Sequence, residues 1–123
     1  MHYASCVFEG ERVYDGEIFR LEEHTERLFH SANRMGINVP YSQSEINKAC
    51  KSIVTIQKVQ NGYVRPLIWR GSEMMAISAQ KNKIHLAIAT WEWGSYFDPK
   101  LKVEGIKLNI SSWRRPAPNT IPW

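Results

Sequence analysis

Apolar and aromatic side chains at Cys6, Phe8 and Tyr14, with Val7 and Val13 between them, predict a strand over residues 5–14. Gly10 interrupts it, and a glycine inside a strand marks a bulge or a close approach to the backbone. Asp15-Gly16 predicts a two-residue hairpin turn, because both residue types accept positive φ; a short returning strand over Glu17 to Arg20 follows. Leu21, Leu28, Ala32 and Met35 then fall near one stripe, with Glu22, Glu23, Glu26 and Arg34 largely opposite, which predicts an amphipathic helix. Its early acids suit the positive end of the helix dipole, and Gly36 suits its C-cap. Ser42-x-x-Glu45 is a capping box that opens a second helix carrying Ile46, Ala49, Cys50 and Ile53, stopped by Asn61-Gly62. Tyr63 to Trp69 predicts a strand that Pro66 would confine to an edge or a bulge. After a polar loop over 71–82, strands are predicted at Lys83 to Trp93 and Val103 to Ile110, before a proline-rich tail.

The order β-β-α-α-β-β-β is that of an α+β fold, an antiparallel sheet with two helices packed on it. The 123 residues suffice for one core, and no run of 18 apolar residues offers a membrane span. The first twelve residues lack the basic start of a secretory signal, and Cys6 and Cys50 match no metal or redox spacing. Reduced thiols and a cytoplasmic location are expected. Charge is uneven. Residues 1–40 hold seven acids against four arginines, whereas 41–123 hold five acids against twelve bases. A basic second half implies an anionic partner.

Few catalytic patterns survive inspection. His24 and His30 are six apart and point different ways on a helix, so no metal site is expected. No G-x-S-x-G, G-x-G-x-x-G or Walker pattern occurs, and no nucleic-acid motif accompanies the basic charge. What remains is a set of aromatic residues and arginines near predicted strand ends: Tyr3, Arg12, Tyr63, Arg65, Trp93 and Tyr96. Arg27 lies four residues after Glu23, where a helical ion pair is the plain expectation.

Five strings change that picture. HYASCVFEGER (2–12) resembles the H-Y-G-x-S-V-F-E-G-x-R signature of branched-chain amino acid aminotransferases, pyridoxal-phosphate enzymes of fold type IV. IFRLEEHTERLFHSA (18–32) is similar to that family's first helix, GYVRPLIWRG (62–71) to its Y-x-R-P-L strand, WEWGSYF (91–97) to its W-G-x-Y turn, and SSWRRPAPNTIP (111–122) to its S-S-W-x-R-x-x-P-N-T-x-P stretch. The resemblance runs in order over nearly the whole chain. D-amino acid aminotransferases and aminodeoxychorismate lyases share the fold type and stand as alternatives, as does a non-enzymatic module that binds anions or nucleic acid.

The resemblance implies roles. Arg27 would hold the cofactor phosphate. Tyr63 would reach the substrate α-carboxylate, and Arg65, with Arg12 nearby, the side-chain carboxylate of glutamate. Phe8, Trp93 and Tyr96 would wall the pocket for a branched side chain. Tyr3, and an apolar residue at about Met75 to Ile77, would reach a neighbouring subunit in a homo-oligomer. It further implies that residues 1–98 are a small domain lacking its first strand, that 99–123 are a linker and the first strand of a large domain, and that the Schiff-base lysine lies beyond Trp123. The intact enzyme would exchange amino groups between leucine, isoleucine or valine and 2-oxoglutarate. No membrane or nucleic-acid partner is expected.

Overall fold

The computed structural model describes residues 6–74, 77–95, 97–117 and 119–120. They form two units, one ending at Trp93 and one beginning at Gly94. The first is built from β1 (Cys6–Phe8), β2 (Glu11–Tyr14), β3 (Glu17–Ile18), α1 (Leu21–Arg34), α2 (Gln43–Gln57), β4 (Gly62–Arg70) and β5 (Ile84–Glu92). The α+β expectation holds: an antiparallel sheet with two helices on one face.

β4 is the centre of the sheet, not its edge. It pairs with β5 on one side and with β1 and β2 in line on the other, and β3 extends β2. Cys6 faces Trp69, Phe8 faces Leu67, and beyond the gap Glu11 faces Val64 with no change of register. Residues 6–14 are therefore one strand whose ladder is interrupted opposite Pro66. The cause is local: the Pro66 carbonyl accepts from the Glu9 amide at 3.1 Å, so the proline's missing N–H falls on that same side. A central proline is tolerated as a gap in the ladder without an added residue.

Local signals set the helix ends. Asp15 and Gly16 both take positive φ, 50° and 82°, in the tight turn that pairs Tyr14 with Glu17. α1 closes in a Schellman arrangement: Gly36, at φ 62°, donates to Asn33, and Ile37 donates to Ala32. Met35, placed in the buried stripe by spacing, is the C-cap within that closing turn and is exposed; Thr25 takes the fourth buried place on α1. Ser42 and Glu45 form the reciprocal capping box of α2. α2 ends at Gln57, four residues before Asn61-Gly62, where Lys58 turns left-handed and Val59 folds back into the core.

Strand alternation then sorts the sheet. Val7, Val13, Val64 and Ile68 point to the helices and are buried against Leu21, Leu28 and Ala32 of α1 and Ile46, Cys50 and Val54 of α2. Each valine, leucine and isoleucine among them contributes about 1.5–3 kcal/mol by leaving water.

The unit from Gly94 departs from expectation. Asp98 caps α3 (Pro99–Glu104), and proline at the first helical position favours the helix start. Residues 105–110, where a strand was predicted, have no regular structure, and Leu108 and Ile110 are almost fully exposed. The alternation of Ile106, Leu108 and Ile110 is strand-like, but a strand exists only where a neighbour completes its ladder, and none does so among the described residues.

Candidate active-site face

The sheet face turned away from α1 and α2 is left uncovered by the elements of its own unit. Register assigns its rows. Arg12 faces Tyr63, which faces Trp91; Phe8 faces Leu67, which faces Ala87. Between these rows lies Arg65, facing Ala89 on one side and, by the unbroken register, Gly10 on the other. The small neighbours leave a trough around the guanidinium, with aromatic rings above and below it in the sheet.

Arg65 is held there by three rings and one hydrogen bond. Its guanidinium carbon stands 4.8 Å from the centre of the Phe8 ring, 5.2 Å from Tyr63 and 5.9 Å from Trp91. Its Nη2 donates to the Tyr63 hydroxyl at 3.1 Å, while its buried Nε has no partner in the protein. Cation–π contacts of this kind contribute about 0.5–2 kcal/mol each, more as water is excluded. Tyr63 is itself braced by Trp91 and Trp93, each with ring centres 4.9 Å away. Gly10 explains the fit: a Cβ there would lie 2.0 Å from the Tyr63 hydroxyl oxygen, so only glycine lets the phenol cross the strand. Of the two readings of Gly10, the close approach is the correct one. Arg12 stacks over Tyr14 at 5.5 Å on the same face. The acidic strand position on this face is Glu17 of β3, which faces Tyr14 at the hairpin end of the sheet. Arg65, which makes no ion pair among the described residues and stands beside apolar rings and small residues, suits a ligand with an anionic end and an apolar body.

Arg27 stands elsewhere. It projects from α1 on the opposite side of the sheet and is bound side-on by Glu9: Nε donates to Oε1 at 2.7 Å and Nη2 to Oε2 at 2.6 Å. The helical pair with Glu23 expected from spacing is not made; Glu23 binds Arg20 instead. His24 Nδ1 lies 2.9 Å from the same Oε2. Burial would raise the Glu9 pKa, but the hydrogen bonds and charges of Arg27 and His24 outweigh it and hold the carboxyl below its ordinary range. An ionised carboxylate only accepts, so Nδ1 carries the proton in this bond. Glu9 sits in the strand between Phe8 and Gly10, both on the open face. The Glu9–Arg27 pair and the aromatic trough therefore lie on the two faces of one edge strand.

Phe8, Tyr63, Arg65 and Trp93 thus come together, Arg12 shares their face, and Arg27 lies across the strand. Tyr3, Tyr96 and Met75 lie outside the described residues; Ile77 is exposed. Sequence reasoning missed Trp91, although it shares the parity of Trp93, and it missed Glu9 and Glu11. The signal was there: their parity with Val7 and Val13 puts both on the buried face.

This architecture has counterparts among known proteins. The family model described as amino-transferase class IV matches residues 6–122. The branched-chain-amino-acid aminotransferase of Pseudomonas aeruginosa is 43% identical over 119 residues, covering 94% of this chain and 39% of that protein. A crystal structure of the Escherichia coli branched-chain amino acid aminotransferase superposes with a TM-score of 0.84 at 35% identity, covering 98% of this chain and 41% of its own. A branched-chain amino acid aminotransferase of T.th. with pyridoxamine 5'-phosphate superposes with a TM-score of 0.88 at 34% identity, with the same 98% and 41% coverage.

Proposed function

Since the chain belongs to the amino-transferase class IV family, we propose that it forms the substrate-facing small domain of a pyridoxal-phosphate-dependent branched-chain aminotransferase. The chain spans about 40% of the length of the relatives it matches, and it corresponds in this reading to their N-terminal portion. Residues 1–98 are the small domain, and 99–123 lead into a larger one where the alternating residues 106–110 find a strand partner. The whole protein transfers amino groups between leucine, isoleucine or valine and 2-oxoglutarate, as a cytoplasmic homo-oligomer.

The observation that carries this reading is the aromatic-held Arg65 with its unpartnered buried Nε on the open face. One site must accept a leucine-like and a glutamate-like side chain in turn. The rings of Phe8, Trp91 and Trp93 offer apolar contact to the first. Arg65 meets the carboxylate of the second, and with the first bound it is stabilised by the rings and Tyr63, which avoids an unpaired buried charge. Tyr63, whose hydroxyl already accepts from Arg65, orients its own proton outward toward the α-carboxylate. The residues also fit the cofactor's phosphate: Arg27 keeps its outer Nη1 edge unbonded while Glu9 fixes the inner one. The bound cofactor supplies the electron sink that labilises the substrate α-carbon. The strand residues of this face include no lysine, and in this reading they bind and orient the substrate.

Two measurements test this. Glutarate is expected to quench the tryptophan fluorescence of the chain saturably, and Arg65→Leu to weaken that response about tenfold or more, the loss of a charge-assisted bond. Equal responses of the two proteins would remove Arg65 from the site. Incubated with pyridoxal phosphate, leucine and 2-oxoglutarate, the purified chain is expected to form no glutamate; turnover would disprove the assignment of the proton-transferring base to another part of the enzyme.

A further inference from the structure

We infer that Glu9 is a positioning residue: from the buried side of the edge strand, and braced by His24, it aims the outer edge of Arg27 at a phosphate. The inference rests on the reading of Arg27 as a phosphate ligand and goes beyond it in saying what makes this arginine competent. Arg27 is a long side chain on an exposed helix surface, 64% accessible, where an unrestrained guanidinium samples many rotamers. Glu9 is only 6% accessible and cannot move with it. The two side-on bonds take Nε and one Nη2 hydrogen, fixing the plane of the guanidinium and leaving the Nη1 hydrogens directed away from Glu9. His24 binds the same Oε2, so Glu9 is held by two side chains of α1. The 3.3 Å approach of Arg27 Nη2 to His24 Nδ1 is then a meeting of two donors at one shared acceptor, which marks Glu9 as the organising group.

The arrangement has an electrostatic cost, and that cost makes the inference testable. An ionised Glu9 cancels the charge of Arg27. If charge alone governed anion binding, removing Glu9's charge would strengthen it. If orientation governs, removing Glu9's charge weakens binding, because the planar fork no longer presents two parallel donors.

The probe is pyridoxamine 5'-phosphate, which lacks the aldehyde that reacts with surface lysines, with pyridoxamine as the phosphate-free control. Binding to the 123-residue chain is followed by calorimetry at moderate salt. Glu9→Gln is expected to lose about fivefold or more in affinity for the phosphorylated ligand, the effect of one lost oriented bond, and nothing for pyridoxamine. Arg27→Lys, which keeps the charge and loses the fork, is expected to show the same selective loss. A merely structural role for Glu9 would lower both ligands equally, and that result overturns the inference, as does Glu9→Gln binding as tightly as the wild type or more tightly. Should Glu9→Gln fail to fold, His24→Gln carries the test, with about a twofold loss confined to the phosphorylated ligand expected from a loosened Glu9, and an unchanged affinity overturning it. If Arg27→Ala binds the phosphorylated ligand like the wild type, the phosphate reading itself fails, a result distinct from failure of Glu9 alone.

Discussion

Raising the pH from 4.5 to 7 is expected to weaken the fold by about 3 kcal/mol more in the wild-type chain than in Glu11→Gln. Glu11 is fully buried opposite Val64, and neither of its carboxyl oxygens has a hydrogen-bond partner. Burial, aided by the negative charge of Glu9 two residues away on the same strand face, pushes its pKa from 4.5 up to about 7. The sign follows from proton uptake. Between pH 4.5 and 7 the folded chain keeps a proton on Glu11 that the unfolded chain has released, so the stabilising contribution is complete below 4.5. It is lost at about 1.4 kcal/mol per pH unit between 4.5 and 7, and the loss is complete above 7. Glu9 acts in the opposite sense: its lowered pKa gives stability that is present above pH 4.5 and lost as the pH falls below it. Cys50, whose thiol burial and the Glu11 charge push from 9.0 up to about 12, loses its contribution only above pH 9, outside the compared range. Urea midpoints at half-unit pH intervals measure the difference. Parallel curves for wild type and Glu11→Gln would show that Glu11 has the same pKa folded and unfolded, which overturns the prediction. Glu11→Val, which matches its buried aliphatic neighbours, is expected to exceed the wild type in stability at about pH 8.

Gly10→Ala is expected to be the most damaging single methyl group that can be added to the open face. The new Cβ would stand 2.0 Å from the Tyr63 hydroxyl oxygen and 2.8 Å from its Cζ, well inside contact distance. The phenol has no simple retreat, because Trp91 and Trp93 flank its ring. Displacing it breaks the Arg65–Tyr63 bond and opens one wall of the trough. A loss of about 1–3 kcal/mol is expected, the cost of overpacking a filled site, together with the loss of glutarate quenching. Strain at Gly10 itself is not the reason; the clash is. Tyr63→Ala should therefore absorb the added methyl, and the double variant should be no less stable than Tyr63→Ala alone. Additive losses in that cycle would locate the damage elsewhere.

Much of this fold is local and so was legible in the residues. The Asp15-Gly16 turn, the Gly36 closure and the Ser42–Glu45 box each act over a few residues, and all appear where the sequence places them. Errors arose where a residue's meaning depends on a distant neighbour. Pro66 read alone belongs to an edge, but its missing donor coincides with a gap that the facing strand tolerates. Residues 103–110 alternate like a strand, yet the first two close α3 and the rest pair with nothing described. Arg27 read alone pairs along its helix, but a buried acid eighteen residues away outcompetes Glu23.

By itself the sequence determined periodicity, turns, caps and family, because these depend on side-chain volume, backbone conformation and short-range hydrogen bonding. The tertiary structure decided which residues face one another. It set Arg65 among three rings, separated Arg27 from that face by the thickness of a strand, and buried Glu9 and Glu11 with opposite consequences. The physical reason is that alternation tells which side chains share a face but not what lies across from them, and the fate of a charge is set by what lies across.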